Sequence, residues 1–185
     1  MFVRIENNEI QEIVHSEVHI KNRMLPKDRM FKVDTSNKPR VSEWEYLTRG
    51  EVELIDGTPV LHYNVKTYSP KLYKEILKEK IAAYRYAKEI SGVTLDDGTK
   101  IATDRDAQDA INRTLSSFKN SIIDEAQWKT EDGFITVDLD KMEEIATDVF
   151  QYVQALFASE KTAGEAVDAI ETIDDLKDYN WRQHF

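Results

Sequence analysis

Three groups of side chains have the types and spacing of reactive or ligand-binding sites. His15 and His19 stand four residues apart, the spacing at which two imidazoles share a helix face and ligate one zinc ion. Their surroundings alternate as in a strand, where four residues span about 13 Å, so no metal site is expected there. Asp104, Asp106 and Asp109 gather near a helix start. A calcium loop needs alternate oxygen ligands and a central glycine, which this spacing lacks. Carboxylates drawn to the positive end of the helix dipole account for the triplet better. Asp138 and Asp140 form the Asp-x-Asp of some metal-dependent transferases. Two residues match that pattern often by chance, and Asp140 with Glu143 also has capping-box spacing. Beyond these, His62 and His184 complete the histidines available for proton transfer near neutral pH. There is no cysteine, which excludes disulfides, thiolate catalysis and cysteine-ligated zinc. Gly-x-Ser-x-Gly, phosphate-loop, dinucleotide and His-Glu-x-x-His motifs are all missing. The expectation is a chain with no catalytic, metal-binding or cofactor-binding residues.

The elements that would carry these residues are legible from pattern. Ser69 to Leu115 reads as helix, tight hairpin and second helix. Tyr73, Ile76, Leu77, Ile81, Tyr84, Ala87 and Ile90 recur at three- and four-residue steps, one face of a helix. Ser69 caps it, Pro70 suits its first position and Gly92 ends it. Val93-Thr94-Leu95 and Thr99-Lys100-Ile101 flank Asp96-Asp97-Gly98, a hairpin signal in which Asp97, Gly98 and Thr99 serve the turn. Thr103, with Asp106 three residues on, opens the next helix, from about Asp104 to Glu125, with Ala107, Ile111, Leu115, Phe118 and Ile122 inward. Trp128-Lys129-Thr130 and Phe134-Ile135-Thr136-Val137 form a further hairpin around Glu131-Asp132-Gly133. Asp140 then caps a helix carrying Met142, Ile145, Val149, Tyr152, Leu156, Ala163, Val167 and Ile170. If Gly164 is tolerated, that helix runs for about 30 residues, or about 45 Å. If it is not, Thr162 and Glu165 restart it. Its narrow apolar seam fits either self-association or packing on the preceding helices, and packing is favoured. Hairpin followed by capped helix thus occurs twice.

Residues 1–68 read as β-rich. Phe2–Ile5 and Ile10–Val14 are short strands around Glu6-Asn7-Asn8-Glu9, with Val18 and Ile20 extending the second. Lys21 to Arg40 is a long loop with a short strand near Met30 to Val33. Glu51–Ile55 and Val60–Val65 flank Asp56-Gly57-Thr58-Pro59, another Asp-Gly hairpin, which Trp44 and Tyr46 cover. The fold class is therefore α+β: a small β-rich domain over 1–68, then a mainly helical domain over 69–185 with two inserted Asp-Gly hairpins.

The chain has 185 residues and a net charge of −10. That balance opposes a broad nucleic-acid surface, which works by neutralising phosphates, and it makes Trp44, Trp128 and Trp181 core or interface anchors, not a stacking platform. No apolar run is long enough to span a membrane, and Met1 to Glu6 lacks a secretory pattern. Charge is uneven: Lys66 to Lys88 carries +5 and Asp132 to Phe185 carries −9. The basic face is either solvated or docked on an acidic partner such as the C-terminal segment of a neighbouring copy.

Gly92-Val93-Thr94-Leu95, Asp97-Gly98-Thr99, Ile101-Ala102-Thr103-Asp104-Arg105, Trp128-Lys129, Asp132-Gly133-Phe134-Ile135-Thr136-Val137 and the helix after Asp140 carry a resemblance. Over about Lys78 to Val153 the chain resembles a domain of unknown function found in tailed-phage and prophage proteins. The N-terminal half is similar to the β-rich front of tail and tail-fibre-assembly proteins, through Asp56-Gly57-Thr58 and Ser69-Pro70. The acidic C-terminal segment and Gly164 depart from the family pattern. The resemblance implies a non-enzymatic structural part of a phage tail, baseplate or fibre-attachment region. Such a part would be assembled in the host cytoplasm and would be homo- or hetero-oligomeric with other tail, baseplate or fibre proteins. The alternative it implies is a fibre-assembly chaperone that leaves before maturation. Neither role involves nucleic acid, membrane or cofactor.

Overall fold

The computed structural model describes residues 1–16, 29–130 and 132–185. The fold is α+β, with strands in small antiparallel sheets first and a mainly helical region after them. The described chain forms two compact units, Met1–Ser69 and Pro70–Phe185.

In the first unit, Asn7 and Asn8 have φ of 53° and 62°, the left-handed backbone that a two-residue hairpin turn needs and asparagine tolerates. They join β1 (Phe2–Glu6) to β2 (Glu9–Val14), and β3 (Met30–Lys32) pairs with the other edge of β1. Val18, Ile20 and Lys21 to Asp28 lie outside the described residues. β4 (Glu45–Ile55) and β5 (Thr58–Thr67) form a long ribbon turned at Asp56 and Gly57, whose φ values are 48° and 78°. The ribbon starts at Glu45, earlier than the Glu51 expected. Between Arg49↔Tyr63 and Val52↔Leu61 the register shifts, leaving Gly50 and Glu51 as a bulge through which pairing continues. Tyr46 is therefore part of the ribbon, and its ring stacks on Tyr68 at 4.9 Å. Val3, Val33 and Leu61 form the small core.

The second unit opens with α1 (Pro70–Glu89), followed by β6 (Val93–Thr94) and β7 (Lys100–Ile101). Gly92, at φ 84°, turns the chain out of α1. The cap of α2 (Arg105–Lys119) is Asp104, not Thr103: its carboxylate accepts the Ala107 N–H at 2.9 Å. Thr103 is fully buried instead. α2 also stops short of Glu125. Ser121 takes φ 54° and the Asn120 N–H returns to the Ser116 carbonyl, closing the last turn. Ile122, expected inward, is left 71% exposed beyond that end.

β8 (Ala126–Thr130) and β9 (Gly133–Val137) pair antiparallel, with Glu131 of their turn outside the described residues. α3 (Leu139–Ala169) is one helix of 31 residues, continuous through Gly164 and about 46 Å long. Its cap is Asp138, which accepts the Lys141 N–H at 2.9 Å, and Asp140 lies in the first turn. Both hairpins are thus followed by a helix that an aspartate caps. A short helix, α4 (Ile173–Asp178), and a 3-10 turn (Trp181–His184) finish the chain described.

α3 is the backbone of this unit. Met142, Ile145, Ala146 and Val149 join Leu95, Ile101, Ile111, Phe118 and Val137 in one core. Val153, Leu156, Ala163 and Val167 are buried further along, where α3 packs on α1 and the terminal turn. Its seam is thereby consumed within the chain. Trp181 and Phe185 close edge-on against Tyr84, with centroids at 5.4 and 5.2 Å. Ala87 and Ile90, read as inward on α1, are exposed, because the core stripe follows Tyr73, Leu77 and Ile81 and then Glu89.

Candidate functional site

Charged side chains are rarely taken out of water without partners. In the second unit the end of α1 does this at one node. Arg85 and Glu89 are four residues apart on α1, one helical turn, and Arg85 Nη1 donates to the Glu89 carboxylate. Glu160 occupies the position on α3 where the buried series Leu156, Ala163, Val167 would otherwise have another apolar side chain. Arg85 Nε donates to it at 2.7 Å. The guanidinium also lies over the Phe157 ring, 4.4 Å from its centroid. Arginine suits this place because its planar fork serves two carboxylates and an aromatic face together.

The backbone at the same end is satisfied by tertiary partners. A helix leaves its last carbonyls without intrahelical donors. Here Thr103 Oγ1 donates to the Glu89 carbonyl and accepts the Gly92 N–H at 3.1 Å. Tyr152 donates its hydroxyl to the Lys88 carbonyl at 2.9 Å, and Gln108 Nε2 donates to the Thr103 carbonyl at 2.8 Å. One buried threonine therefore fastens the end of α1 to the start of α2. Beside it lies an open hollow of about 210 Å³, lined by Tyr86, Glu89, Ile90, Asp104, Arg105 and Asp106.

Two further ion pairs fix α3. Lys78 Nζ lies 2.7 Å from Asp168 Oδ1, and that hydrogen bond raises the lysine pKa. Lys74 donates to the Asp168 carbonyl at 2.7 Å. The basic face of α1 is thus partly spent on the acidic segment of its own chain. Lys141 bridges the β6–β7 turn to α3, at 2.7 Å from Asp97 and 3.0 Å from Glu144.

Among the described residues, those singled out by spacing do not converge. His15 is exposed just past β2, and His19 lies outside the described residues. Asp104 and Asp138 are helix caps, Asp106 and Asp140 lie in first turns, and Asp109 is an exposed residue of α2. His62 meets Glu53 at 2.9 Å on the β4–β5 ribbon, and His184 meets the Tyr179 hydroxyl at 2.7 Å. Trp181 is buried, Trp128 packs half-buried on the core, and Trp44 is half-buried. Among the described residues, no group of three or more His, Cys, Asp or Glu side chains could hold a metal ion. No helix there is long and apolar enough to cross a membrane.

The profile of a domain of unknown function, DUF4376, matches residues 73–180, more than half of the chain. The chain belongs to the DUF4376 family. The DUF4376 region contains every residue of the Arg85 node, both Asp-capped helices and all of α3. No curated protein and no solved structure matches the chain.

Spacing alone missed the node. Its traces in the DUF4376 sequence are an Arg-to-Glu pair one helical turn apart and a glutamate inside an apolar seam. What the node does is positional. Arg85 is neutralised on both sides, so it holds two helices at a fixed separation and orientation.

Proposed function

We propose that the chain is a structural component of a phage tail, baseplate or fibre-attachment region, acting without turnover through interfaces with other tail proteins. Its setting would be the virion tail, after assembly in the host cytoplasm. The resemblance of the Gly92 to Arg105 run and of the Trp128 to Val137 hairpin to tail-associated chains supports this reading.

The observation that carries it is the exposure of Ile122 and Phe134, each 71% open to water. Ile122 lies in the loop three residues past α2 and Phe134 lies on β9, and the next residue at each place, Ile123 and Ile135, packs on the buried core. Large apolar side chains presented by a rigid scaffold are the usual anchors of protein interfaces. The bonded node at Arg85 supports the same reading, because it fixes geometry.

Mass spectrometry of purified particles tests the proposal. The expected result is the intact chain at a fixed copy number related to tail symmetry. Presence in infected lysate with fibre protein, together with absence from particles, would overturn it in favour of an assembly chaperone.

A further inference from the structure

We propose that Asp56 is the chain's site of spontaneous isoaspartate formation, a modification that its turn leaves open and that the fold withholds from Asp97. Asp56-Gly57-Thr58 and Asp97-Gly98-Thr99 are identical triplets, so a difference in reactivity between them comes from the fold. In any Asp-Gly step the glycine nitrogen can attack the side-chain carboxyl of the aspartic acid, and a glycine offers no side chain to hinder the approach. The two hairpins set the triplet in different frames. Asp56 and Gly57, both at positive φ, are the central residues of a type I′ turn, and Ile55 pairs with Thr58 across it. Such a turn engages the N–H of its fourth residue and not that of its third. The Gly57 nitrogen is therefore left out of the turn's hydrogen bond. In the other hairpin Asp96 and Asp97 are the central residues, which makes Gly98 the fourth. The Gly98 N–H donates to the Leu95 carbonyl at 2.9 Å, and Gly98 takes φ 86° as the residue that rejoins the strand.

The carboxyl groups differ in the same direction. Asp97 accepts the Thr99 N–H with Oδ1 at 2.8 Å and the Lys141 ammonium with Oδ2 at 2.7 Å. Both oxygens are held, and the group is kept ionised. Ring closure draws on the neutral acid, because a carboxylate oxygen is a poor leaving group. Asp56 is exposed, and among the described residues no hydrogen bond or ion pair holds its carboxyl. A Cβ built on Gly57 would meet nothing within 4 Å, so no neighbour resists movement there. Hairpin tips of this kind open locally ahead of the core. The third Asp-Gly step, Asp132-Gly133, has its glycine within β9, opposite Thr130. In the reaction the Gly57 nitrogen bonds to Cγ of Asp56 as one water leaves, taking a hydrogen from the N–H and the hydroxyl from the carboxyl. Water then opens the succinimide ring. Breaking the nitrogen's bond to Cγ restores aspartate. Breaking its bond to the main-chain carbonyl carbon of Asp56 gives isoaspartate, whose main chain runs through Cβ and Cγ and is longer by one carbon. A two-residue turn cannot take up that carbon without shifting the Ile55↔Thr58 pair, and the strand beyond carries Leu61 of the small core. The inference is independent of the tail reading, since it rests on turn geometry.

Ageing of the full chain in mildly acidic buffer, followed by peptide mapping with electron-transfer fragmentation, tests it. Cleavage at the Cα–Cβ bond of isoaspartate gives fragments that aspartate does not. In the folded chain isoaspartate should accumulate at position 56 about tenfold faster than at 97, the rate equivalent of the net hydrogen bond that must first open at Gly98. It should also appear at 56 before 132. An isoaspartyl methyltransferase supplied with S-adenosylmethionine should methylate the aged chain on the new carboxylate at position 56. In urea that unfolds both units, positions 56 and 97 should react at closely similar rates, since their triplets are the same. Equal rates at 56 and 97 in the folded chain, or isoaspartate appearing first at 97 or 132, would overturn the proposal. So would a folded chain that forms none at 56 while the unfolded chain does. A difference between 56 and 97 that survives unfolding would overturn the assignment to the fold.

Discussion

The ammonium of Lys141, in the first turn of α3, lies 2.7 Å from Oδ2 of Asp97 in the turn between β6 and β7. That hydrogen bond, with those from Thr99, holds the Asp97 carboxyl far below the usual carboxylate range. The same contact raises the Lys141 pKa. Asp97 is therefore harder to protonate in the folded unit than in the unfolded chain. Its contribution to stability is complete above the ordinary aspartate pKa of about 4 and drains away as pH falls below that value. Asp97→Asn keeps an oxygen for the Thr99 N–H, which Oδ1 accepts at 2.8 Å, and loses the ion pair. The variant should melt below the wild type at pH 7, and the gap should narrow at pH 3. An equal gap at both values would show that the ion pair is idle.

Gly98→Val should destabilise the second unit. Gly98 has φ 86°, and a Cβ there would meet nothing within 4 Å. The penalty is thus in the backbone alone, about 1–2 kcal/mol for a side chain forced into the left-handed region, and more for a β-branched one. Thermal unfolding reads it directly. An unchanged melting temperature would count against the turn.

Gly164→Ala should do the opposite. Gly164 lies inside α3, where an added Cβ likewise meets nothing within 4 Å, and its φ is not in the left-handed range. Alanine should stabilise by about 1 kcal/mol, the usual helix-interior difference. It borders a cavity of about 300 Å³ between α1 and α3, so the methyl has space. A lower melting temperature would mean that close helix approach depends on the glycine.

Arg85→Ala should cost about 3 kcal/mol or more, because it leaves the Glu89 carboxylate buried without its partner. The double variant Arg85→Met with Glu89→Leu should lose less than Arg85→Ala, since the deeply buried Glu89 charge is gone and only the more exposed Glu160 is left without Arg85. Urea unfolding of both proteins gives the comparison. A double variant less stable than the single would refute the view that desolvation dominates the node.

The hairpins were legible in the sequence because their signals are local: Asp56-Gly57 and Asp97-Gly98 announce a backbone that few other residues adopt. The helix caps were misplaced by one or two residues for a related reason. Thr103 and Asp104 are both good caps, and so are Asp138 and Asp140. Burial decided between the first two, since Thr103 is needed inside to bind α1. Continuity through Gly164 was undecidable from pattern, because a glycine costs about 1 kcal/mol and the buried residues on both sides outweigh it. On α1 the apolar period carries on past Ile81 in the sequence, but the core-facing positions there are Arg85 and Glu89, and Ile90 stands one residue beyond the helix end, so the pattern put Ala87 and Ile90 in the core. The Arg85–Glu160 bond joins residues separated by 75 positions, a distance over which no local pattern speaks.

The length and position of α3 set an order on synthesis. α1, both hairpins and α2 leave the ribosome before the helix on which they pack. Until the chain has been made well past Leu139, Leu77, Ile81, Ile111 and Phe118 have no completed surface to cover them. The second unit must therefore mature late and nearly in one step, and any nascent chain halted before Ala169 is a ready client for chaperones.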